Sequence, residues 1–231
     1  MKYNNPRGDM MFKTELHCHS NDISQCARVA NEEIINTFYT NGYSTLVLSN
    51  HLNKSTMDVI CPNDWCGFVD KYFEAYEKLK GEAQGKLNVL FGAELRFNEN
   101  CNDYLLFGLT KEFLYEHPEI FSLNPEKFHS LAKENGILFI QAHPFRNRMT
   151  VIRPDYLDGV EVFNGHFGHD SRNEIAAAWA EKFGLIKTSG TDYHYITSPA
   201  NGGILTDEEI TDMYQLIEIL KGGNYSLNMQ Y

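Results

Sequence analysis

The chain has 231 residues, of which 42% are hydrophobic and 22% charged, enough for one sizeable core in a single domain spanning residues 1–231. Its 20 basic and 31 acidic residues leave a formal charge of −11, so it lacks the broad basic footprint of long nucleic-acid binders, which are not expected as partners, while a small phosphorylated substrate remains compatible. No apolar stretch approaches the length of a membrane span, Met1–Arg7 lacks the apolar run of a signal peptide, and the five cysteines have no framework spacing, so a reduced, cytoplasmic setting without a membrane partner is expected.

Strand and helix patterns alternate along the chain. Lys13–His17 reads as the first strand, and residues 31–39 as a helix with Ile34, Ile35 and Phe38 on one face before Asn41-Gly42. Thr45–Ser49 is a buried strand. Trp65–Lys80 is a long helix carrying Phe68, Tyr72, Phe73, Tyr76 and Leu79 at helical spacing, and residues 53–67 before and into it read as a specificity loop. Asn88–Phe91 leads to Glu94, and Tyr104–Phe107 is a further strand. Asn124-Pro125 supplies an N-cap and a first-turn proline for a helix closed by Gly136. Ile137–Ile140 leads into His143, Gly159–Phe163 into Asn164, and Leu185–Thr188 into Asp192, with a helix over Arg172–Phe183 between the last two. Thr206-Asp-Glu-Glu209 has the form of a capping box opening a final helix. Roughly seven strand–helix units in one domain is the count of a barrel.

Five of these strands end in imidazole or carboxylate: Glu15-Leu-His-Cys-His19, Asn50-His51, Gly92-Ala-Glu94, Gln141-Ala-His143 and Gly190-Thr-Asp-Tyr-His194. Strand side chains alternate, so His17 and His19 share a face, as do Asp192 and His194. A lone His-X-His is as easily a surface feature. Five strand ends with the same chemistry are not, and neutral imidazole with carboxylate is the ligand set of zinc, manganese and iron.

In the order and spacing of all five blocks the chain resembles the polymerase-and-histidinol-phosphatase (PHP) superfamily of metal-dependent phosphoesterases. The resemblance implies a distorted seven-stranded (β/α)7 barrel with two or three divalent ions (zinc, manganese or iron) at the C-terminal ends of the strands. By position, His17, His19, Glu94 and Asp192 would hold one ion, Glu94 would bridge to a second helped by His143, and His51 with His194 would hold a third. The sequence departs from the family pattern at two points. Asn50 stands where an aspartate usually precedes the histidine. Asp103-Tyr104 stands near where another histidine ligand is common. The acidic ligand that often follows His-X-His has Asp22 as its candidate here, with Cys26 second.

Two such ions about 3.5–4 Å apart clamp substrate oxygens and generate hydroxide near neutral pH, which would attack phosphorus in line. Arg28, Arg96, Arg146 and Arg148 follow ligand blocks within loop reach, with Arg28 and Arg146 foremost as phosphate partners. Asn164 and His166 sit at a strand end facing the same mouth. Asp192, His51 and His194 are the candidates for acid–base work. The expected activity is hydrolysis of a small phosphorylated metabolite; the alternatives are a nucleotide phosphodiesterase or exonuclease, a metal-dependent amide hydrolase and a non-catalytic metal-binding barrel.

Overall fold

Tyr3–Asn4 and residues 10–230 are described by a computed structural model, so most of Met1–Arg7 lies outside the described residues. The first half of the chain contains β1 (Tyr3–Asn4), β2 (Met10–Cys18), α1 (Asn31–Thr40), β3 (Tyr43–Leu48), β4 (His51–Leu52), α2 (Lys54–Ile60), α3 (Trp65–Glu82), β5 (Asn88–Leu95) and β6 (Tyr104–Phe107). The second half adds α4 (Lys111–Glu116), α5 (Pro125–Glu134), β7 (Leu138–Gln141), β8 (Gly159–Asn164), α6 (Asn173–Phe183), β9 (Ile186–Gly190), β10 (Ile204–Thr206), α7 (Met213–Gly222) and β11 (Ser226–Leu227). Among the described residues no helix is long and apolar enough to cross a membrane.

The main sheet runs β11-β10-β2-β3-β5-β6-β7-β8-β9. Its two flanks curl toward each other. Cys18 at the end of β2 bridges Tyr193 just beyond β9, with His19 N–H donating to Tyr193 O at 3.1 Å and Tyr193 N–H to His17 O at 3.2 Å. The result is a nearly closed, distorted barrel whose wall is β2, β3, β5, β6, β7, β8 and β9, with β10 and β11 added antiparallel beside β2. One wall strand is reversed: β6 is antiparallel to both β5 and β7. Its entering end, preceded by Asp103, therefore lies at the mouth where the other strands exit.

Alternation along the strands divides the core. Ala93, Tyr104, Leu106, Phe139, Val160 and Val162 face the surrounding helices, packing with Phe68, Tyr72 and Phe128, while Leu46, Leu48 and Val89 pack with Ile34, Ile35 and Phe38 of α1. The third cluster lines the interior: Val47, Leu90, Leu105, Phe107, Leu138 and Ile140 meet Leu216, Ile217 and Leu220 of α7. Phe107 and Leu138 lie at the end opposite the mouth, so α7 seals the barrel there.

Three sequence expectations need correction. The Thr206–Glu209 box does not open the last helix: Thr206 closes β10 opposite Phe12 and its hydroxyl donates to Glu208 O at 2.7 Å, while Asp212 caps α7 by accepting from Gln215 N–H at 2.8 Å. A capping pattern also suits a turn that leaves a strand, and here strand pairing decides. Part of the expected 53–67 loop is helical, since Asn53 caps α2 by accepting from Thr56 N–H at 2.9 Å. Finally, Glu94 lies within β5, where it pairs with His51 of β4, and not beyond it.

Candidate metal centre

The four strand-end blocks bearing histidine and the Glu94 block converge at the open end of the barrel. Glu94 is central and 1% exposed. Its Oε1 lies 3.1 Å from His143 Nε2 and 3.3 Å from His17 Nε2; its Oε2 lies 2.7 Å from His51 Nδ1 and 3.4 Å from His19 Nε2. Asp192 Oδ1 completes the arrangement at 3.2 Å from His194 Nδ1 and 3.4 Å from both His17 Nε2 and His19 Nε2. Two of these residues hold left-handed backbone, His143 at φ 29° and Asp192 at φ 49°. Such conformations are costly for non-glycine residues, and surrounding structure must impose them. For His143 that structure includes Glu161 Oε2, which accepts its backbone N–H at 3.0 Å.

The histidines are oriented from behind by polar groups. Glu161 Oε1 accepts from His17 Nδ1 at 2.9 Å, turning Nε2 toward the cluster. Gly190 makes this pair possible, because a Cβ there would come within 2.4 Å of His17 Cβ and 2.8 Å of Glu161 Oε1. Ser24 Oγ lies 3.1 Å from His19 Nδ1, accepts from His51 N–H at 3.0 Å and donates to Asn50 Oδ1 at 2.8 Å. Asn50 Oδ1 also accepts from Ser20 N–H at 2.8 Å, and its amide donates to Ser20 Oγ at 3.1 Å. Asn50 thus ties together the loop that follows β2, and addresses His19 only through Ser24. This role needs an acceptor and a donor on one side chain, which asparagine has and an ionised aspartate lacks.

Burial and charge set the protonation states of the ion-free protein. Burial alone would push His17 down, but Glu161, Asp192 and Glu94 outweigh it and hold it well above the usual histidine range. His51 is likewise raised to about 10 against its burial by Glu94, and His194 to about 11 by Asp192. His19, fully buried beside His194 and His51, is held well below its ordinary value and is neutral. Glu94 and Asp192 stay ionised despite burial, Glu94 through His17 and His51, Asp192 through His17 and His194.

This cluster fits divalent ions. His17 Nε2, His19 Nε2, His51 Nδ1 and Glu94 Oε2 are buried without a hydrogen-bond partner, though each faces another ligand atom. Candidate ligand atoms fall within 4.8 Å of one another in four groups: His17/His19/Glu94, His17/His143/Asp192, His19/His51/His194 and Glu94/Asp103/His143. The two Glu94 oxygens face different histidine pairs, a disposition suited to spanning two ions. Cations would displace protons from His17, His51 and His194 and find His19 already neutral.

The remaining predicted residues divide. Asp103 is in the cluster, 3.9 Å from His143 Nε2, but its carboxylate is gripped by Arg96 Nε at 2.6 Å and Nη2 at 2.7 Å, with Arg146 Nη2 at 3.3 Å. Tyr104 points away, stacking on Phe139 in the core at 4.6 Å. Asn164 is buried, its amide donating to Glu161 Oε2 at 2.9 Å and to Asp192 Oδ2 at 3.2 Å. Arg96, Arg146 and His166 line a cavity of about 610 Å³ above the cluster, together with Cys26, His51, Glu94, His143, Asp192 and His194. Arg28 and Arg148 do not line it; both are exposed. Asp22 is also elsewhere, paired with Lys78 of α3 at 2.9 Å, so no carboxylate from that loop reaches the cluster. Cys26 does reach it, its Sγ 3.1 Å from His51 Nε2.

Sequence reading missed Glu161. It lies in an apolar run, Val160-Glu-Val-Phe163, and its only signal is an acid in an otherwise hydrophobic strand. A register shift between Glu161 and Phe163 breaks the alternation, so Glu161 and Asn164, three apart, reach the same side.

No protein-family model matches the chain, and no curated protein is significantly similar to it. Solved structures do match. A two-domain protein from Bacteroides vulgatus containing a predicted PHP-like metal-dependent phosphoesterase is 16% identical, with a TM-score of 0.66 over 100% of this chain and 68% of that one. PsfC from Pseudomonas syringae is 14% identical, with a TM-score of 0.64 over 95% of this chain and 92% of that one. Endonuclease Q, in complex with a 27-mer duplex substrate carrying an abasic lesion at the active site, is 15% identical with a TM-score of 0.65; 92% of this chain covers 57% of that one. The duplex corrects the expectation from net charge that long nucleic acid is not a partner: Endonuclease Q shares this fold and its structure holds a DNA duplex, so the fold admits a nucleic-acid substrate. As the sequence resemblance implied, the chain has the fold of the PHP-like metal-dependent phosphoesterases.

Proposed function

We propose that this protein is a metal-dependent phosphoesterase and that a small phosphorylated metabolite is its substrate. The observation that carries the reading is the Glu94 carboxylate ringed by four histidine nitrogens directly beneath a cavity that two arginines enter. His17, His19, Glu94, Asp192 and His143 would hold a pair of divalent ions, which when bound supply Lewis acidity and activate water for attack on phosphorus.

The chain's own residues do the rest. Arg146 and Arg96 present guanidinium groups to the cavity and neutralise phosphoryl oxygens, and Asp103 fixes the plane of Arg96 by gripping it through two nitrogens. Asn164 holds Asp192 through Oδ2, while Oδ1 faces His17, His19 and His194. His194 lines the cavity beside Asp192, its Nδ1 3.2 Å from Asp192 Oδ1, and is the candidate proton donor to the departing oxygen where no ion takes its ring nitrogen. His17 and His19 are fully enclosed, while Glu94, His143, Asp192, His194 and His51 open onto the cavity.

The test is turnover by metal-stripped protein reconstituted with manganese or zinc, with metal content measured. Metal-dependent hydrolysis of p-nitrophenyl phosphate exceeding that of bis-p-nitrophenyl phosphate is expected. Cleavage of an abasic duplex in preference to either would move the substrate class to nucleic acid. No turnover of any phosphoester at full metal occupancy would overturn the reading.

A further inference from the structure

Arg172, the residue before α6, holds a backbone that favours glycine, at φ 49° and ψ 52°. Its neighbours impose that conformation. Ser171 Oγ donates to Asn164 Oδ1 at 3.3 Å, while Asn173 Oδ1 accepts from Asn164 N–H at 3.0 Å and the Asn173 amide donates to Asn164 O at 3.3 Å. The start of α6 is therefore fastened to the end of β8 on both sides of Arg172. Asn164 also donates to Asp192 Oδ2, so a proposed metal ligand and the strained arginine share one support.

The strain fixes where the Arg172 side chain points. Its Nη1 donates to Phe145 O at 2.5 Å and its Nη2 to Asn147 Oδ1 at 2.6 Å, and these two residues flank Arg146. Its ion-pair partner Asp170 stands off at 3.9 Å from Nε, so the close contacts of the guanidinium are the neutral oxygens of this loop. The loop is anchored at its ends as well. Phe145 packs edge-on against Trp179 of α6, with centroids 6.2 Å apart, and Asn102 fastens Thr150, donating to its O at 2.8 Å and accepting its N–H at 2.7 Å. Between the ends, Asn147 and Arg148 are exposed and Arg148 is left-handed at φ 75°, so the stretch has little packing of its own. Arg172 supplies a fixed point at the step that carries Arg146.

We infer that Arg172 is a positioning residue, whose two-pronged grip on Phe145 and Asn147 holds Arg146 in place to meet phosphate in the cavity. This rests on the proposed phosphoesterase reading. Arg146 Nη2 lies 3.3 Å from Asp103 and Nη1 4.0 Å from Asp192, so its place at the mouth depends on where the loop backbone is held. A lysine at 172 would keep the charge, but its single nitrogen cannot reproduce a fork that spans two acceptors.

Calorimetric titration of the manganese-loaded protein with inorganic phosphate provides the test. Arg146→Ala is expected to weaken phosphate about tenfold, by removing a charge-assisted contact. Arg172→Gly suits the left-handed backbone, so thermal unfolding should come no earlier and metal content should hold, while phosphate binds about fivefold more weakly. The losses should not add: the double variant should bind phosphate as Arg146→Ala does alone. Arg172→Lys should recover little of the lost affinity. Asn147→Ala, at an exposed position, should weaken phosphate about twofold and have no effect once Arg146 is alanine. Wild-type affinity in both Arg172→Gly and Asn147→Ala, additive losses, or full recovery by Arg172→Lys would overturn the inference alone. No phosphate binding by the wild type, or unchanged affinity in Arg146→Ala, would overturn the phosphate-site reading and this inference with it.

Discussion

The floor of the site and its rim follow opposite rules. On the floor, His17 and His19 are fully buried, and each turns one ring nitrogen to a protein partner, Glu161 or Ser24, and the other to the cluster. On the rim, Phe167 and Tyr195 present open faces to solvent, and Arg146 reaches in from a loop. The floor is organised before any ligand arrives, as a group that must hold cations at fixed separation requires. The rim pays no such cost in buried polarity and is free to vary with what it must recognise. On the proposed reading, chemistry resides in the floor and selectivity in the rim.

Substitutions should separate the two layers, beginning with the largest effects. Asp192→Asn and His17→Ala are expected to lower turnover by about 10³-fold, with metal content falling in parallel by elemental analysis, because one neutralises a carboxylate that three histidines face and the other removes a nitrogen that Glu94 and Asp192 face. Retention of full metal content in both would break the comparison at its base.

Glu161→Gln keeps the shape behind His17 and removes the charge, so metal affinity should weaken by about 10–100-fold in a competitive chelator titration. An affinity equal to wild type would mean that the floor does not need its supporting carboxylate.

Asn50→Ala deletes the acceptor of both Ser24 and Ser20 and is expected to weaken metal binding by about tenfold through His19. Asn50→Asp should do less damage, since the acceptor survives and only the bond to Ser20 Oγ is lost. If aspartate is worse than alanine, charge and not hydrogen bonding governs this position.

Glu15 sharpens the comparison through pH. Burial raises its carboxyl to about 8 from 4.5, although it accepts backbone N–H groups of Thr191 and His17. The folded ion-free protein therefore keeps a proton that the unfolded chain has already lost, and stability falls as pH rises from about 4.5 to about 8. Glu15→Gln should flatten the thermal-unfolding midpoint over that window relative to wild type; an unchanged slope would contradict the assignment. The smallest effect is expected at His129→Ala, which loses one partly exposed 3.3 Å contact with Asp158, worth about 0.5 kcal/mol or less by chemical denaturation, with metal content unaltered.

Much of the floor could be read from sequence because strand-end histidines and acids are rare and their alternation is rigid. His17, His19, Glu94, His143, Asp192 and His194 all sit where parity and position placed them near one another. What was not legible depends on departures from regularity. Glu161 is hidden by a bulge, Asp103 reaches the mouth only because β6 runs backward, and Asp22 misses it because Lys78 of α3 lies closer. The rim was legible in part: His166 was expected at the mouth, but nothing in Gly165–His169 announces that Phe167 faces outward, since an aromatic in a loop is usually tucked away. The capping pattern at Thr206 failed for a related reason, local chemistry being overruled by a strand partner distant in sequence.

The seal that α7 makes across the far end of the barrel has a kinetic meaning. With Leu216, Ile217 and Leu220 closing that end, the cavity above the cluster is the doorway to it among the described residues. On the proposed reading, ions, substrate and both products would share it, so ions would load before substrate covers them and the deeper product would leave last. A bound substrate would then act as a stopper over the ions beneath it, and inorganic phosphate would compete with the next substrate for the same berth.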